Sequence, residues 1–312
     1  MKNSGGLRVV ETKDFLNYEG KKQAEFLLPM SERKAEIDKL FDSDPEDLGY
    51  QFPWSKTHGK VYMGKGEVSI LAGVNGNGKS LITSQMALHV ARTHRVLMAS
   101  MEMPIAIQAR RMLKQASGTL NPTKQYRDGV IDALDGRIWF YEQIRTVKPH
   151  EMISLVDYAI HELDINLIFI DSMMKCGIST EDYNGQKNFL DALCAVVKNS
   201  SAHVCLVHHV RKGDVQKIPT KWDIKGAGEI TDMCDQVFIC HRDKVLENKI
   251  KNPALSDAER EELMKLPTQK LVIEKNRNQD FEGTLHLWFH PSGQYTADHR
   301  RQAIPWRGVV EV

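Results

Sequence analysis

One stretch of the chain has residue types and spacing suited to holding a phosphate group. It reads Gly-Val-Asn-Gly-Asn-Gly-Lys-Ser and fits the pattern G-x-x-x-x-G-K-[ST]. Glycines let the backbone curl so that its N–H groups point at a phosphate, with a helix N-terminus behind them. We expect Lys79 to reach the β- and γ-phosphates and the Ser80 hydroxyl to bind Mg²⁺. The predicted nucleotide-binding residues of this P-loop are Gly73, Asn75, Gly76, Asn77, Gly78, Lys79 and Ser80.

Two acidic residues end apolar runs and could act on a bound nucleotide. Asp171 ends the run 167–170, so we expect it at the carboxyl edge of a buried strand, where ligands bind in open α/β sheets. There it would be a second Mg²⁺ ligand beside Ser80. Glu102 follows the strand that comes after the P-loop helix. We expect this strand to lie close to the P-loop in the sheet, so the Glu102 carboxylate could be a general base. The alternative for both is an acid that caps a local turn.

His208 and His209 end another apolar strand. A polar residue at such a strand end can face the γ-phosphate, and side chains alternate across a strand, so we expect one of the two to point at the nucleotide. A zinc site that combines His208 with Cys205, Cys240 and His241 is the alternative, but the spacings match no standard zinc finger.

Basic residues cluster after the histidine strand and at a later strand end. The stretches 211–217 and 222–228 both contain lysines and glycines, and Lys or Arg there could contact a phosphate backbone. Lys275 and Arg277 follow the run 271–274, and such a pair can reach a γ-phosphate in a neighbouring subunit as an arginine finger. The alternatives are solvated loops and an ordinary surface pair.

The bulk composition limits the class of protein. The 312 residues are 41% hydrophobic, enough for one large α/β core and a small accessory region. The formal net charge is +1, so a nucleic acid would need a local basic patch. Five cysteines without a C-x-x-C pair favour reduced thiols in a cytosolic compartment. No apolar stretch has membrane-spanning length and the polar N-terminus is unlike a signal peptide, which favours a cytoplasmic location.

From about residue 61, strand-like and helix-like segments alternate. This pattern predicts an α/β fold with a mostly parallel sheet, helices on both faces and antiparallel strands added at one edge. The predicted strands are 68–72, 96–100, 138–141, 167–170, 204–207, 237–240, 271–274 and 285–289. The predicted helices are 79–92, 104–115, 150–163, 186–200 and 228–233.

Two further segments have a weaker pattern. Within residues 1–60, the stretch 31–41 predicts a short amphipathic helix with Ser31 as its N-cap and an apolar stripe that packs on its own domain or docks on a neighbouring subunit. The charged stretch 243–269 predicts a surface insertion, with a capping box from Ser256 to Glu259 and no chemistry of its own. The predicted organisation is therefore an N-terminal extension (1–60), an ATPase domain (61–300) and a tail (301–312).

Taken together, the motifs resemble the RecA-type ATPase core of the DnaB-like replicative helicases, including Twinkle-type mitochondrial helicases and the helicase half of phage primase-helicases. The resemblance covers roughly residues 60–298 and is most specific at Cys-Leu-Val-His-His-Val-Arg-Lys (205–212) and Val-Ile-Glu-Lys-Asn-Arg (272–277).

The resemblance implies a role for each motif. Glu102 would be the catalytic base, Asp171 the Walker B aspartate, His209 the γ-phosphate sensor, and Arg277 the arginine finger with Lys275 as companion. Residues in the two basic stretches would hold single-stranded DNA: Arg211, Lys212, Lys217, Lys225 and Gly226. The resemblance does not identify the adenine pocket, and from the sequence Tyr295 and Arg111 are candidates for contact with the base.

The family implies an ATP- and Mg²⁺-dependent, ring-forming DNA helicase, with six subunits as the expected number. Primase, polymerase or loader proteins would be its candidate partners. A recombinase-like or loader ATPase without unwinding activity stays open as the alternative, and so does a regulatory ATPase that never contacts DNA.

Overall fold

The computed structural model describes residues 27–179, 181–211, 217–226 and 228–306. The chain divides into two compact units, Met1–Leu48 and Gly49–Val312. The sequence-based boundary at residue 60 stays a prediction; the structural division lies earlier. None of the helices in the described ranges has the length and apolar character needed to cross a membrane.

In the first unit, a 3₁₀ turn (Met30–Arg33) leads into helix α1 (Lys34–Asp42), and a short helix α2 (Pro45–Leu48) follows. The prediction that Ser31 is the N-cap is wrong. Ser31 lies inside the 3₁₀ turn, and α1 begins after Arg33 without a side-chain cap. The apolar residues Leu40 and Phe41 of α1 are exposed.

The second unit is built on a sheet that contains nine strands in the described residues. They are β3 (Glu67–Gly73), β4 (Val96–Ser100), β5 (Ile138–Phe140), β6 (Leu167–Asp171), β7 (His203–His209), β8 (Gln236–Arg242), β9 (Gln269–Asn276), β10 (Gly283–Phe289) and β11 (Tyr295–Thr296). Their order in the sheet is β11-β10-β9-β8-β3-β7-β6-β4-β5. The strands from β8 to β5 are parallel, and β9, β10 and β11 are antiparallel additions at one edge, so the predicted α/β architecture is confirmed.

Both faces of the sheet are apolar because its central strands are nearly continuous runs of apolar residues. In β3, Ile70 packs into the core on one face and Leu71 into the core on the other; in β6, Ile168 and Phe169 divide in the same way. Burial on both faces is what a parallel sheet covered by helices requires. The helices of this unit are α3 (Lys79–Val90), α4 (Ile105–Ser117), α5 (Lys124–Leu134), α6 (Pro149–His161), α7 (Tyr183–Lys198), α8 (Gly228–Met233), α9 (Lys244–Ile250) and α10 (Asp257–Met264).

Residues 49–64 also belong to the second unit. Strands β1 (Gly49–Gln51) and β2 (Tyr62–Gly64) form an antiparallel pair, and the segment that joins them buries Phe52 and Trp54. Phe52 packs edge-on against Phe238 of β8, with ring centroids 5.5 Å apart. These aromatic contacts place the start of the compact unit at Gly49.

The carboxyl ends of the parallel strands meet at one edge of the sheet, and the predicted site residues Glu102, Asp171 and His209 lie there. The register aligns Gly73 at the end of β3 with His209 of β7 and Cys240 of β8. Ser100 at the end of β4 is aligned with Asp171. The expectation that β4 is close to β3 in the sheet is wrong, since β7 and β6 lie between them.

Candidate functional site

The P-loop joins the end of β3 to the start of α3. Gly76 and Gly78 adopt positive φ angles of 78° and 86°, which glycine tolerates and other residues rarely adopt. Gly78 is the N-cap of α3, and Lys79 is its first helical residue. The loop therefore has the backbone of a phosphate cradle in front of a helix N-terminus.

Buried side chains hold the loop from behind. The Asn77 side-chain amide donates to the Cys240 carbonyl at 3.2 Å, and the Gln269 side-chain amide donates to the Asn77 carbonyl at 3.1 Å. The Tyr295 ring is 3% exposed, and a Cβ at Gly78 would overlap its hydroxyl. Tyr295 therefore supports the loop from the protein interior, and its predicted contact with the base is wrong.

We expect Gly78→Ala to destabilise the P-loop strongly. Alanine would add a Cβ that overlaps Tyr295 and would adopt a positive φ angle, and such effects cost on the order of 1–3 kcal/mol each. Thermal unfolding and ATP binding measure the loss. Gly76→Ala is the matched control, because it has a similar φ angle but its nearest neighbour is the Lys244 amine at 3.7 Å. Equal losses for the two variants would contradict a steric role for Tyr295.

Lys79 and Ser80 have the contacts expected of residues that bind phosphate and a metal ion. The Lys79 amine is buried and donates to the carbonyls of Gly73 at 2.8 Å and Val74 at 3.3 Å. Burial lowers the pKa of Lys79, although the charges of Asp171 and Glu102 oppose this, and an anionic phosphate would add further counter-charge. The Ser80 hydroxyl donates to Asp171 at 2.9 Å, so two oxygen ligands of the kind that Mg²⁺ prefers lie side by side.

Glu102 faces the same space and is kept ionised. Its Oε1 atom accepts a hydrogen bond from the Ser172 hydroxyl at 2.7 Å and lies 3.9 Å from Nε2 of His209, an ion-pair distance. The His209 imidazole and the Ser172 hydroxyl lower the pKa of Glu102 to about 2, although burial acts in the opposite direction. Burial raises the pKa of Asp171, while the Ser80 hydroxyl opposes this rise. The two carboxylates therefore lie in electrostatically different environments.

The two histidines point in different directions, as the alternation of a strand requires. His209 lines the cavity beside Glu102. His208 is 2% exposed, its Nε2 atom lies 2.7 Å from the Lys225 carbonyl, and burial lowers its pKa to about 4. His209 is therefore the member of the pair that can meet a nucleotide.

These groups surround an open cavity of about 870 Å³, in the size range of small-molecule and cofactor sites. Among its described lining residues, five side chains are cationic and two, Glu102 and Asp171, are acidic, so the cavity favours a polyanion such as a triphosphate. The cationic residues are Lys79, Arg111, Lys175, Lys225 and Arg242.

Arg242 joins the cavity to the charged insertion. It makes a two-point ion pair with Glu247 of α9, with contacts of 2.5 and 2.8 Å, and donates to the Gly76 carbonyl at 3.4 Å. The capping box from Ser256 to Glu259 is confirmed at the start of α10. The expectation that the stretch 243–269 has no chemistry of its own stays a prediction; its Glu247 nevertheless positions an arginine at the P-loop.

The second basic stretch is attached to the histidine strand. The Lys225 N–H donates to the His209 carbonyl at 3.0 Å, and Val210 and Ile224 form an isolated β-bridge. Lys225 thus lines the cavity, whereas Arg211 and Lys217 are exposed and Gly226 lies against the Gln186 side chain. The predicted contact residue Lys212 lies outside the described residues.

Lys275 and Arg277 lie at the other end of the sheet. Arg277 contacts Asp235 at 3.1 Å and donates to the Asp232 carbonyl at 2.6 Å, with its side chain 45% exposed. The Lys275 amine donates to the Asp232 carbonyl at 2.8 Å and to the Thr231 carbonyl at 2.9 Å. The structure therefore groups Lys79, Ser80, Glu102, Asp171 and His209, and it separates Lys275 and Arg277 from them.

Sequence reasoning missed several residues around the site, namely Ser172, Lys175, Arg242, Glu247 and Gln269. Ser172 directly follows Asp171, and this adjacency was the available signal. Nothing in the local pattern of Arg242 or Gln269 marks them, because they reach the P-loop through strand pairing across the fold.

Comparisons with known proteins agree with this geometry. Residues 34–215, more than half of the chain, match the family model described as an AAA domain. Among solved structures, the chain is similar to one described as an "ATPase Domain", with a TM-score of 0.69, 14% identity, and coverage of 86% of this chain and 98% of that one. It is also similar to a DnaB-like replicative helicase whose structure was described with "Its Interactions With Primase", with a TM-score of 0.68, 13% identity, and coverage of 91% and 73%.

No curated protein sequence matches the chain. At such low identity, the structural similarity establishes the fold. The fold predicted from the motif order, that of a DnaB-like helicase ATPase core, is confirmed. The chain therefore belongs to the AAA domain family, as a P-loop ATPase domain with the fold of the DnaB-like helicases.

Proposed function

We propose that this chain is the motor of a ring-forming DNA helicase that hydrolyses ATP between subunits and moves along single-stranded DNA. The observation that carries the proposal is the placement of Arg277. It follows Asn276, which pairs with Gln236 at the start of β8, whereas the P-loop residue Gly73 pairs with Cys240 near the end of that strand. Four residues of strand span roughly 13 Å, so Arg277 would complete the ATP site of a neighbouring copy.

Arg277 is suited to act across such an interface. Asp235 binds its guanidinium on one side and also accepts the Val68 N–H at 3.0 Å, so the acid is itself held in place. The remaining side of the guanidinium is exposed. A fixed, exposed guanidinium can stabilise the charge that develops on a γ-phosphate.

Within one subunit, the cavity residues would have separate roles in ATP hydrolysis. Lys79 would bind the phosphates in place of the Gly73 and Val74 carbonyls. The ionised Glu102 would orient and deprotonate the attacking water, with Ser172 fixing its position. Ser80 and Asp171 would hold Mg²⁺, which supplies neutralisation of phosphate charge.

The contact between His209 and the second basic stretch would transmit the state of the nucleotide. His209 lies beside Glu102, its carbonyl accepts the Lys225 N–H, and the carbonyl of Lys225 is held by His208. Loss of the γ-phosphate would therefore shift His209 and, through these hydrogen bonds, the loop that carries basic residues. We propose that this loop and Arg211, Lys212 and Lys217 hold the DNA backbone.

The similarity to a helicase described with a primase supports a primase as a candidate partner of this chain. Polymerase and loader proteins stay candidates from the resemblance of the motifs alone. The described residues of α1 leave Leu40 and Phe41 exposed, which is compatible with docking on a neighbouring subunit.

The test of this function is the mass of the protein in solution with a non-hydrolysable ATP analogue and single-stranded DNA, together with its ATPase rate. We expect assembly into closed rings, ATP hydrolysis stimulated by single-stranded DNA, and affinity for DNA that falls steeply with salt. Open helical filaments in negative-stain images would favour the recombinase-like alternative. An ATPase indifferent to DNA would favour a regulatory ATPase.

A further inference from the structure

Trp222 is unusual among the tryptophans of the chain because its side chain faces solvent. It is 69% exposed, whereas Trp54, Trp288 and Trp306 are each less than 10% exposed, and Trp139 is 40% exposed. An indole ring normally buries its large apolar surface, so an exposed one at a defined position is a candidate contact for a partner.

The backbone that carries Trp222 is well held. It lies in a 3₁₀ turn, Lys221–Asp223, whose capping box joins Thr220 to the Asp223 carboxylate by contacts of 2.8 and 3.0 Å. The Lys221 N–H donates to Glu274 of β9 at 3.2 Å, and the Asp223 carbonyl accepts the Arg211 N–H at 2.7 Å. The ring is therefore presented on an ordered turn, which lowers the entropic cost of binding with it.

A cation lies beside the Trp222 ring, and two more lie close to the turn that carries it. The Lys221 amine lies 5.4 Å from the ring centroid, within cation–π distance. The carboxylate of the adjacent Asp223 has its pKa lowered first by hydrogen bonds from Thr220, and also by the charges of Lys217 and Arg211. The two acids at the turn, Asp223 and Glu274, both accept hydrogen bonds from the turn itself, and the cations Lys217 and Arg211 lie near Asp223.

This combination fits single-stranded nucleic acid better than an apolar protein surface. Between Tyr183 and Val245, Trp222 is the only large apolar side chain that is exposed in the described part of the chain, so its own stretch of sequence contributes no second apolar side chain to a patch. It is also absent from the lining of the nucleotide cavity. An aromatic ring among cations is the arrangement on which unpaired bases stack while their phosphates are neutralised.

We propose that Trp222 is a base-stacking residue of the single-stranded DNA surface, in addition to the backbone contacts of the basic residues. This inference rests on the proposed function. It adds a contact to the bases themselves, which stays tolerant of sequence because every base has a stacking face.

The experiment compares the binding of oligo(dT) with that of an abasic oligomer of equal length and charge. For the wild-type protein we expect the abasic oligomer to bind roughly five- to a hundredfold more weakly. Trp222→Ala should lose affinity for oligo(dT) by a similar factor and keep its affinity for the abasic oligomer and for ATP. Trp222→Phe should recover part of the loss, and the surface control Trp139→Ala should behave as the wild type.

A second measurement is the fluorescence of the indole. Oligo(dT) should quench the emission of the wild-type protein and of Trp139→Phe, and this quenching should be lost in Trp222→Phe. If Trp222→Ala binds both oligomers as the wild type does, or weakens for both equally, stacking by Trp222 is refuted while the DNA surface stands. If the wild-type protein binds neither oligomer, the proposed function itself fails.

Discussion

Arg277→Ala should nearly abolish ATP hydrolysis while leaving ATP binding intact. Removal of an arginine finger typically lowers turnover by about 10³–10⁵. Within one chain Arg277 contacts Asp235 at the amino end of the parallel strands, away from the P-loop. Its loss should therefore leave the nucleotide pocket of the same subunit unchanged and remove only the stabilisation of charge in the next one. Turnover and ATP affinity, measured on the assembled protein, check both halves of this expectation.

Two controls separate this role from a structural one. Arg277 neutralises Asp235, which is largely buried, so the melting temperature of the variant must be compared with that of the wild type. Arg300→Ala is the matched variant, because Arg300 is an exposed arginine paired with Asp298 at 3.2 Å and lies outside the site. Hydrolysis by Arg277→Ala at the wild-type rate would refute a site shared between subunits.

Glu102→Gln should lower the rate of hydrolysis by about 10²–10⁴, the usual contribution of a general base. Glutamine keeps the shape of the side chain and its hydrogen bond from Ser172 but cannot accept a proton from water. We expect ATP binding to persist, because phosphate contacts come from the P-loop and Lys79. Single-turnover rates measured with saturating ATP test the chemical step.

The electrostatics of Glu102 also limit the pH profile. Its pKa is lowered to about 2, so the carboxylate stays charged as the pH falls through the ordinary range for glutamate near 4.5. Protonation of Glu102 should therefore cause no loss of rate between pH 7 and about pH 5. For the Glu102→Gln variant, the matched control is Glu262→Gln. It removes a surface ion pair between Glu262 of α10 and Lys265, and it should leave the rate of hydrolysis unchanged.

The strands of the fold could be predicted because each contains a local run of apolar residues. Every predicted apolar run forms a strand. The central strands are apolar along their length because they are covered on both faces, whereas β5 and β10 are only partly buried. The helix α5, Lys124–Leu134, was missed because its polar sequence buries only Tyr126 and Val130. The β1–β2 pair was also missed, because three-residue strands are too short to show alternation.

The order of the strands could not be read in the same way. Chain order suggested that β4 would be near β3, whereas two strands separate them in the sheet. Glu102 still faces the P-loop cavity because all these strands end at the same edge. An acid at the end of a strand therefore predicts that its side chain lies at the carboxyl edge of the sheet. It does not predict which strand lies next to it.

Residues that support the site from a distance were the least predictable. Tyr295 was expected to contact the base but packs behind Gly78, because β11 brings it under the P-loop. Arg242 is not marked by any motif in the sequence, yet β8 places it beside Gly76. Such positions depend on long-range strand pairing, which leaves no mark in the residues on either side.

The most direct test of a site shared between subunits is to mix the two inactive variants. In an equal mixture of Arg277→Ala and Glu102→Gln subunits, about a quarter of the interfaces would combine an intact Glu102 with an intact Arg277 from the neighbour. We predict that ATP hydrolysis returns in the mixture, in rings shown by native mass spectrometry to contain both variants. Mixed rings that stay as inactive as either variant alone would contradict the account.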